Sequence, residues 1–192
     1  NGAGGSRSLA YLLSHVNSNV GGDVKTSGQQ KYDKALNVTG PADFTAGGGF
    51  EVDGRTTLAG VTNVSASSVL FGDLVDSASG VPAGRLSVVS AGPITFSGSI
   101  GSLNQLVSLD VSGGGLTTIN DTLNIQSADF HNNTLLGSNL HLTNGQYTFR
   151  QKLNSGPGGP AFIYVAPKHA DTARPALSGW LGHESPFAFD LD

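Results

Sequence analysis

Two phrases in this chain are near copies of one another. TSGQQKYDKALN (26–37) and TNGQYTFRQKLN (143–154) have equal length and share Thr, Gly, Gln, Leu and Asn in register, with Tyr32 facing Phe149. A second echo sets SAGPITFSGSIGSL (90–103) against SGGGLTTINDTLNI (112–125). Short alternating runs recur from about Val24 onward: LNV (36–38), FEV (50–52), TTLAG (56–60), VLFGDLV (69–75), RLSVV (85–89), ITFSG (94–98), LVSLDV (106–111), LTTI (116–119), TLNI (122–125) and LHLTNG (140–145). Gly, Asn, Ser or Asp punctuates nearly every gap. Runs of about 4–6 residues rich in Val, Thr, Ile and Leu predict an all-β fold. Self-similarity with Gly/Asn corners then favours a right-handed parallel β-helix, a solenoid, over a closed barrel. A β-sandwich is the alternative that the strand runs leave open.

In a parallel solenoid each strand pairs with the coils above and below, about 4.8 Å away. Val and Leu then stack inward, Thr, Ser and Asn line the outside, and Gly and Asn make corners where positive φ is needed. At about 20–25 residues per coil, residues 20–153 form five or six turns. Residues 1–19 form an N-terminal segment or cap. Within them Leu9, Leu12, Leu13 and Val16 fall at i, i+3, i+4 and i+7 behind Ser8, a helical stripe with a possible N-cap. The same residues also suit one more coil.

Composition narrows the function classes. Charged residues make up 12% of the chain, about half the usual share. The net charge of -4 carries no basic block, which argues against a nucleic-acid surface. With no Cys, disulfides, thiolate nucleophiles and Cys-based zinc sites are absent. No apolar run approaches the roughly 18 residues of a membrane span, and Ser8–Val20 lacks the basic flank and long apolar core of a signal peptide. The absence of Met, with Asn at position 1, points to a mature or excised fragment.

VKTSGQQKYDKAL (24–36) and LTNGQYTFRQKL (142–153) resemble the passenger repeats of bacterial filamentous-haemagglutinin-like and autotransporter adhesins. The resemblance covers roughly residues 20–153. It implies an elongated, secreted or cell-surface segment without catalysis, engaging an unidentified surface or matrix ligand.

Residues 154–192 change character, being rich in Pro and holding the chain's only Trp, Trp180. LNSGPGGPAF (153–162) followed by RPALSGWLGHESPFAFD (174–190) resembles the C-terminal part of kynureninase, just after its pyridoxal-phosphate lysine. That resemblance implies a cytoplasmic, homodimeric enzyme that hydrolyses kynurenine to anthranilate and alanine. It also implies that Trp180 helps to hold the cofactor phosphate. The family's Schiff-base lysine precedes the Leu of this phrase by two places, where this chain has Gln151; Lys152 is one place off. A glutamine amide cannot form an imine, whereas a lysine amine can. On an extended strand, one step points a side chain to the opposite face. The cofactor's other ligands belong upstream in the family, where this chain has β repeats, so no catalytic residue and no bound cofactor are expected.

Other chemistry is weak. His183-Glu184 lacks the second zincin His, since Phe187 stands in its place. His169, Asp171 and His183 read as solvated loop residues, so no metal is expected. Gly47–Gly49 and Gly113–Gly115 read as turns because no Lys-Ser/Thr helix start follows. Asn37, Asn63, Asn120 and Asn132 each open an N-x-S/T triplet, a frequent accident in so Asn-, Ser- and Thr-rich a chain. The expectation is a structural or adhesive β-solenoid over 20–153 with a mostly irregular tail over 154–192, carrying one short strand near 161–165. The alternative is a fragment of a pyridoxal-phosphate kynureninase.

Overall fold

The computed structural model describes residues 9–79, 84–137, 141–143 and 145–154, and among them there is no helix. The chain winds through about seven turns of a parallel β-solenoid. The first coil holds β1 (Leu12–Ser14), β2 (Ser18–Val20) and β3 (Val24–Thr26). The second holds β4 (Gln30–Tyr32), β5 (Leu36–Val38) and β6 (Ala42–Ala46), and the third β7 (Gly49–Val52), β8 (Thr56–Leu58) and β9 (Val61–Ala66). Next come β10 (Ser68–Phe71), β11 (Val75–Ser77) and β12 (Arg85–Ser90), then β13 (Ile94–Phe96) and β14 (Leu106–Gly113). The sixth coil has β15 (Thr117–Ile119) and β16 (Leu123–Phe130), and the seventh β17 (Thr134–Leu136), β18 (Leu142–Thr143) and β19 (Gln146–Phe149), after which β20 (Leu153–Asn154) restarts the path.

Three sheets form the walls. The first runs β1-β4-β7-β10-β13-β15-β17-β20, the second β2-β5-β8-β11, and the third β3-β6-β9-β12-β14-β16-β18, with β19 also on β16. Every pairing is parallel, which rules out the sandwich. Along the first sheet Leu12 pairs with Gln30, then Phe50, Val69, Ile94, Thr117, Thr134 and Leu153 follow in register. Successive coils therefore take 18, 20, 19, 25, 23, 17 and 19 residues. Shorter coils and an earlier start explain why there are seven turns and not five or six.

Period-2 alternation builds the core. Val24, Phe44, Val64, Val88, Val111, Phe130 and Phe149 form one inward column on the third sheet. Tyr32, Val52, Phe71, Phe96, Ile119 and Leu136 form another on the first sheet, all buried. Phe71 and Phe96 stack with centroids 5.3 Å apart, and Phe130 and Phe149 with centroids 4.9 Å apart. The bore is not wholly apolar. Gln30 is fully buried and donates from Nε2 to the carbonyls of Val24 (3.1 Å) and Thr45 (2.9 Å). At one corner the Thr117 hydroxyl donates to Asn132 Oδ1 (3.0 Å), and Asn132 Nδ2 donates to the Gly115 carbonyl (2.9 Å). That buried role removes Asn132 from any reading as an exposed acceptor triplet.

The two longest coils carry excursions, and they interrupt the second sheet after β11. Beyond it that wall narrows to single bridges from Val75 to Ile100 and from Ile100 to Leu123, and then Leu123 and Asn124 pair with Leu142 and Thr143 of β18. Fully buried Asp76 ties the excursion down, with Oδ1 accepting from the amides of Leu103 (3.1 Å) and Asn104 (3.3 Å). Arg55 Nη2 stands 3.2 Å from Asp76 Oδ2, an ion pair without hydrogen-bond alignment. Ser77 Oγ donates to the Gln105 carbonyl (2.7 Å) and accepts from the Gly84 amide (3.1 Å). Gly113, at φ 123°, closes β14 where a Cβ would lie 1.8 Å from the Ser90 carbonyl oxygen, so only Gly fits.

Two sequence expectations change here. The stripe at Leu9, Leu12, Leu13 and Val16 is not a helix: Leu9 bridges Thr26, Leu12 and Leu13 lie on β1, Val16 lies in the bend before β2, and the first coil begins before residue 20. With only three residues per strand, alternation has no room to declare itself, and 3.6-residue spacing arises by chance. The phrase echoes are also not structural equivalents. Tyr32 lies on the first sheet and Phe149 on the third, so the longer echo is displaced by one wall. The shorter echo sets Ile94 against Leu116, but Ile94 pairs with Thr117. That one-residue slip leaves Leu116 at 42% exposure and Thr117 buried. The tail strand expected near 161–165, and the tail beyond Asn154, lie outside the described residues.

Candidate functional site

Gln151 and Lys152 sit at the approach to β20, both exposed. The Lys152 carbonyl accepts from the Thr134 amide (2.8 Å), and its own amide donates to Asn133 Oδ1 (3.3 Å). Leu153 and Asn154, the first two residues of the tail phrase, pair with Thr134 and Leu135 and so belong to the solenoid. Among the described residues no carboxylate pairs with the Lys152 ammonium. Lys152 is exposed beside the wall, and the Gln151 amide offers no amine for an imine. These residues do not fit pyridoxal phosphate. Trp180, His169, Asp171 and His183 lie outside the described residues.

The solenoid brings together a cluster that the sequence reading did not single out. Asp110 on β14 and Asp129 on β16 are register partners on the outer face of the third sheet. His131 follows just after β16, two residues beyond Asp129 and therefore on the same side. His131 Nε2 lies 3.2 Å from Asp110 Oδ2 and 3.5 Å from Asp129 Oδ2. Arg150, just after β19, grips Asp129 through Nε (2.8 Å to Oδ1, 3.0 Å to Oδ2) and Nη2 (2.5 Å to Oδ2). The Arg150 hydrogen bonds, with a smaller contribution from His131, hold the Asp129 carboxyl below the usual carboxylate range, and Asp129 raises Arg150 in return. All four groups are partly exposed. Asp110 and Asp129 lie one 19-residue coil apart, as do His131 and Arg150 with their coil neighbours, so only the coil length could have exposed the cluster in advance.

A second charged group lies on the outside of the first sheet. Lys31 Nζ contacts Glu51 Oε1 (2.6 Å), Asp53 Oδ2 (3.1 Å) and Asp33 Oδ1 (3.7 Å), and His15 Nδ1 meets Asp33. Glu51 first, then Asp53, raise the Lys31 ammonium above its ordinary value. The side chains are open to solvent, so the network adds little stability. Its cation is already supplied by Lys31, which leaves it no ligand to take.

Comparison with known proteins gives a local result. The chain is 63% identical over 35 residues to a kynureninase from Deinococcus radiodurans, covering 18% of this chain and 8% of that protein. It is 52% identical over 40 residues to a kynureninase from Rattus norvegicus (21% and 9%) and 53% identical over 36 residues to one from Burkholderia mallei (19% and 9%). The likeness stops there. The chain spans under a tenth of the length of these curated relatives. No family model matches the chain, and no solved structure matches it significantly. Among the described residues no helix is long and apolar enough to cross a membrane.

Proposed function

We propose that this chain is a non-catalytic structural or adhesive repeat segment of a secreted bacterial surface protein, joined to a vestigial piece of kynureninase-like sequence. One observation carries the reading: the solenoid's hydrogen-bonded register runs unbroken through Lys152, Leu153 and Asn154, the residues where the enzyme-like phrase begins. A backbone committed to that wall is not free to form the lysine loop of a cofactor enzyme. Long hydroxyl- and amide-bearing walls suit a stalk or an extended contact face, and a matrix or surface ligand is the partner that such a face implies.

The second reading, a fragment of a pyridoxal-phosphate enzyme of tryptophan catabolism, is favoured by the identity of the short kynureninase matches. Adding pyridoxal phosphate to the full chain and recording the absorbance spectrum separates the two. A spectrum that is the sum of protein and free cofactor supports the stalk. An internal-aldimine band that disappears in Lys152→Ala overturns it. Labelling intact cells with an antibody to the solenoid tests location, and signal only after lysis would rule out a surface role.

A further inference from the structure

We propose that Asp110, Asp129 and His131 form a binding site for a first-row divalent transition-metal ion on the outer wall of the third sheet. The three residues each bring one donor atom, and these atoms all lie within 4.8 Å of one another. Ligands held about 2.1 Å from a tetrahedral zinc ion stand about 3.4 Å apart. The edges from His131 Nε2 to Asp110 Oδ2, 3.2 Å, and to Asp129 Oδ2, 3.5 Å, already have that length. The third edge, between the two carboxylates, is at most 4.8 Å, and Asp110, about half exposed, has room to turn.

Charge argues the same way. Asp110 and Asp129 are directly opposed in register, an arrangement of like charges that costs stability unless a cation lies between them. Arg150 neutralises one carboxylate from the far side. Two of its contacts fall on Oδ2 and one on Oδ1, so an ion bound at Oδ2 would take the place of one Arg150 hydrogen bond while an acceptor position on Oδ1 stays open. Arg150 thereby orients the Asp129 carboxylate, as an outer-shell partner does. One imidazole and two carboxylates select a borderline ion such as zinc over calcium or magnesium, which prefer all-oxygen sets. Partial exposure leaves the remaining coordination positions to water or to a donor from a bound partner.

The test is zinc titration of the full chain by isothermal calorimetry, with the thermal midpoint followed in parallel. The expected result is a single site in the wild type, weakened more than about tenfold in both His131→Ala and Asp110→Asn. A rise of the midpoint with zinc should vanish in both. A His169→Ala/His183→Ala double variant separates this site from zinc uptake by the tail histidines and should bind as the wild type does. Circular dichroism without zinc should show both site variants folded, since all the substituted groups face solvent. Absence of zinc binding in the wild type, or binding that survives both site variants, overturns the proposal.

Discussion

Replacing Phe96 with Ala removes a ring from the inward column of the first sheet, where it stacks on Phe71. Phe96 is fully buried, and its ring lies 5.3 Å from that of Phe71 with 2° between the planes. Deleting a core Phe side chain costs about 3–5 kcal/mol, the larger figure applying where the surroundings cannot close over the hole. They cannot here: β13 is hydrogen-bonded to β10 on one side and β15 on the other, which fixes the coil spacing near 4.8 Å. Losing the aromatic pair removes part of a further 0.5–1.5 kcal/mol or so. A loss of about 4–5 kcal/mol is therefore expected, a large share of the roughly 5–15 kcal/mol that a domain has. Urea unfolding followed by far-ultraviolet circular dichroism should show a lower midpoint at nearly unchanged slope. Leu116→Ala is the matched control, because the echo places Leu116 opposite Ile94 whereas the structure leaves it on the surface. It should change stability by no more than about 0.5 kcal/mol. A loss below about 1.5 kcal/mol for Phe96→Ala would refute the rigid-spacing argument, and equal losses in the two variants would refute the observed register.

Asp76→Ala should cost about 3–5 kcal/mol in thermal or urea unfolding, since it strands Arg55 and the amides of Leu103 and Asn104, while exposed Asp73→Ala should be neutral within about 0.5 kcal/mol; a small loss at Asp76 would mean that the excursions anchor themselves. Tyr32 supplies an alkaline limit. Burial pushes its phenol up to about 12, against about 10 in the unfolded chain. Because the folded value is the raised one, its contribution is full below pH 10 or so and is lost as pH rises from there through about 12. Tyr32→Phe, which deletes a buried hydroxyl without a partner, should flatten that decline in a pH series of unfolding midpoints, and an unchanged decline would assign it to other groups.

The fold class was legible because inward columns need only apolar residues at period 2, and runs such as RLSVV and ITFSG display that pattern openly. What failed was register. Coil lengths vary from 17 to 25 residues, so similar phrases fall on different walls, as Tyr32 and Phe149 do. A three-residue strand such as β1 carries a single inward pair, Leu12 and Ser14, too little to distinguish a strand from a helix by periodicity. The buried polar groups were hidden for a different reason. Gln30, Asp76 and Asn132 each bond to backbone groups on another wall or coil, and nothing in their local sequence marks those partners. The same holds for the Asp110, Asp129 and His131 cluster, whose members meet only once the coil between them has its length.

The junction follows from these rules. A solenoid wall asks little of an added strand: an apolar or small polar residue facing the bore and free backbone groups at the register position. Leu153 meets the first demand, falling in the column of Leu12, Phe50, Val69 and Ile94, and the Thr134 amide bonding to the Lys152 carbonyl meets the second. A Leu-Asn pair opening an unrelated phrase can therefore be absorbed as the first strand of an eighth coil without disturbing the seventh. It would also cover part of an edge that otherwise invites further pairing. Continuation past Asn154 meets Gly156, Pro157 and Pro160. Proline lacks the amide that an internal strand must donate, so these positions suit a strand interior poorly.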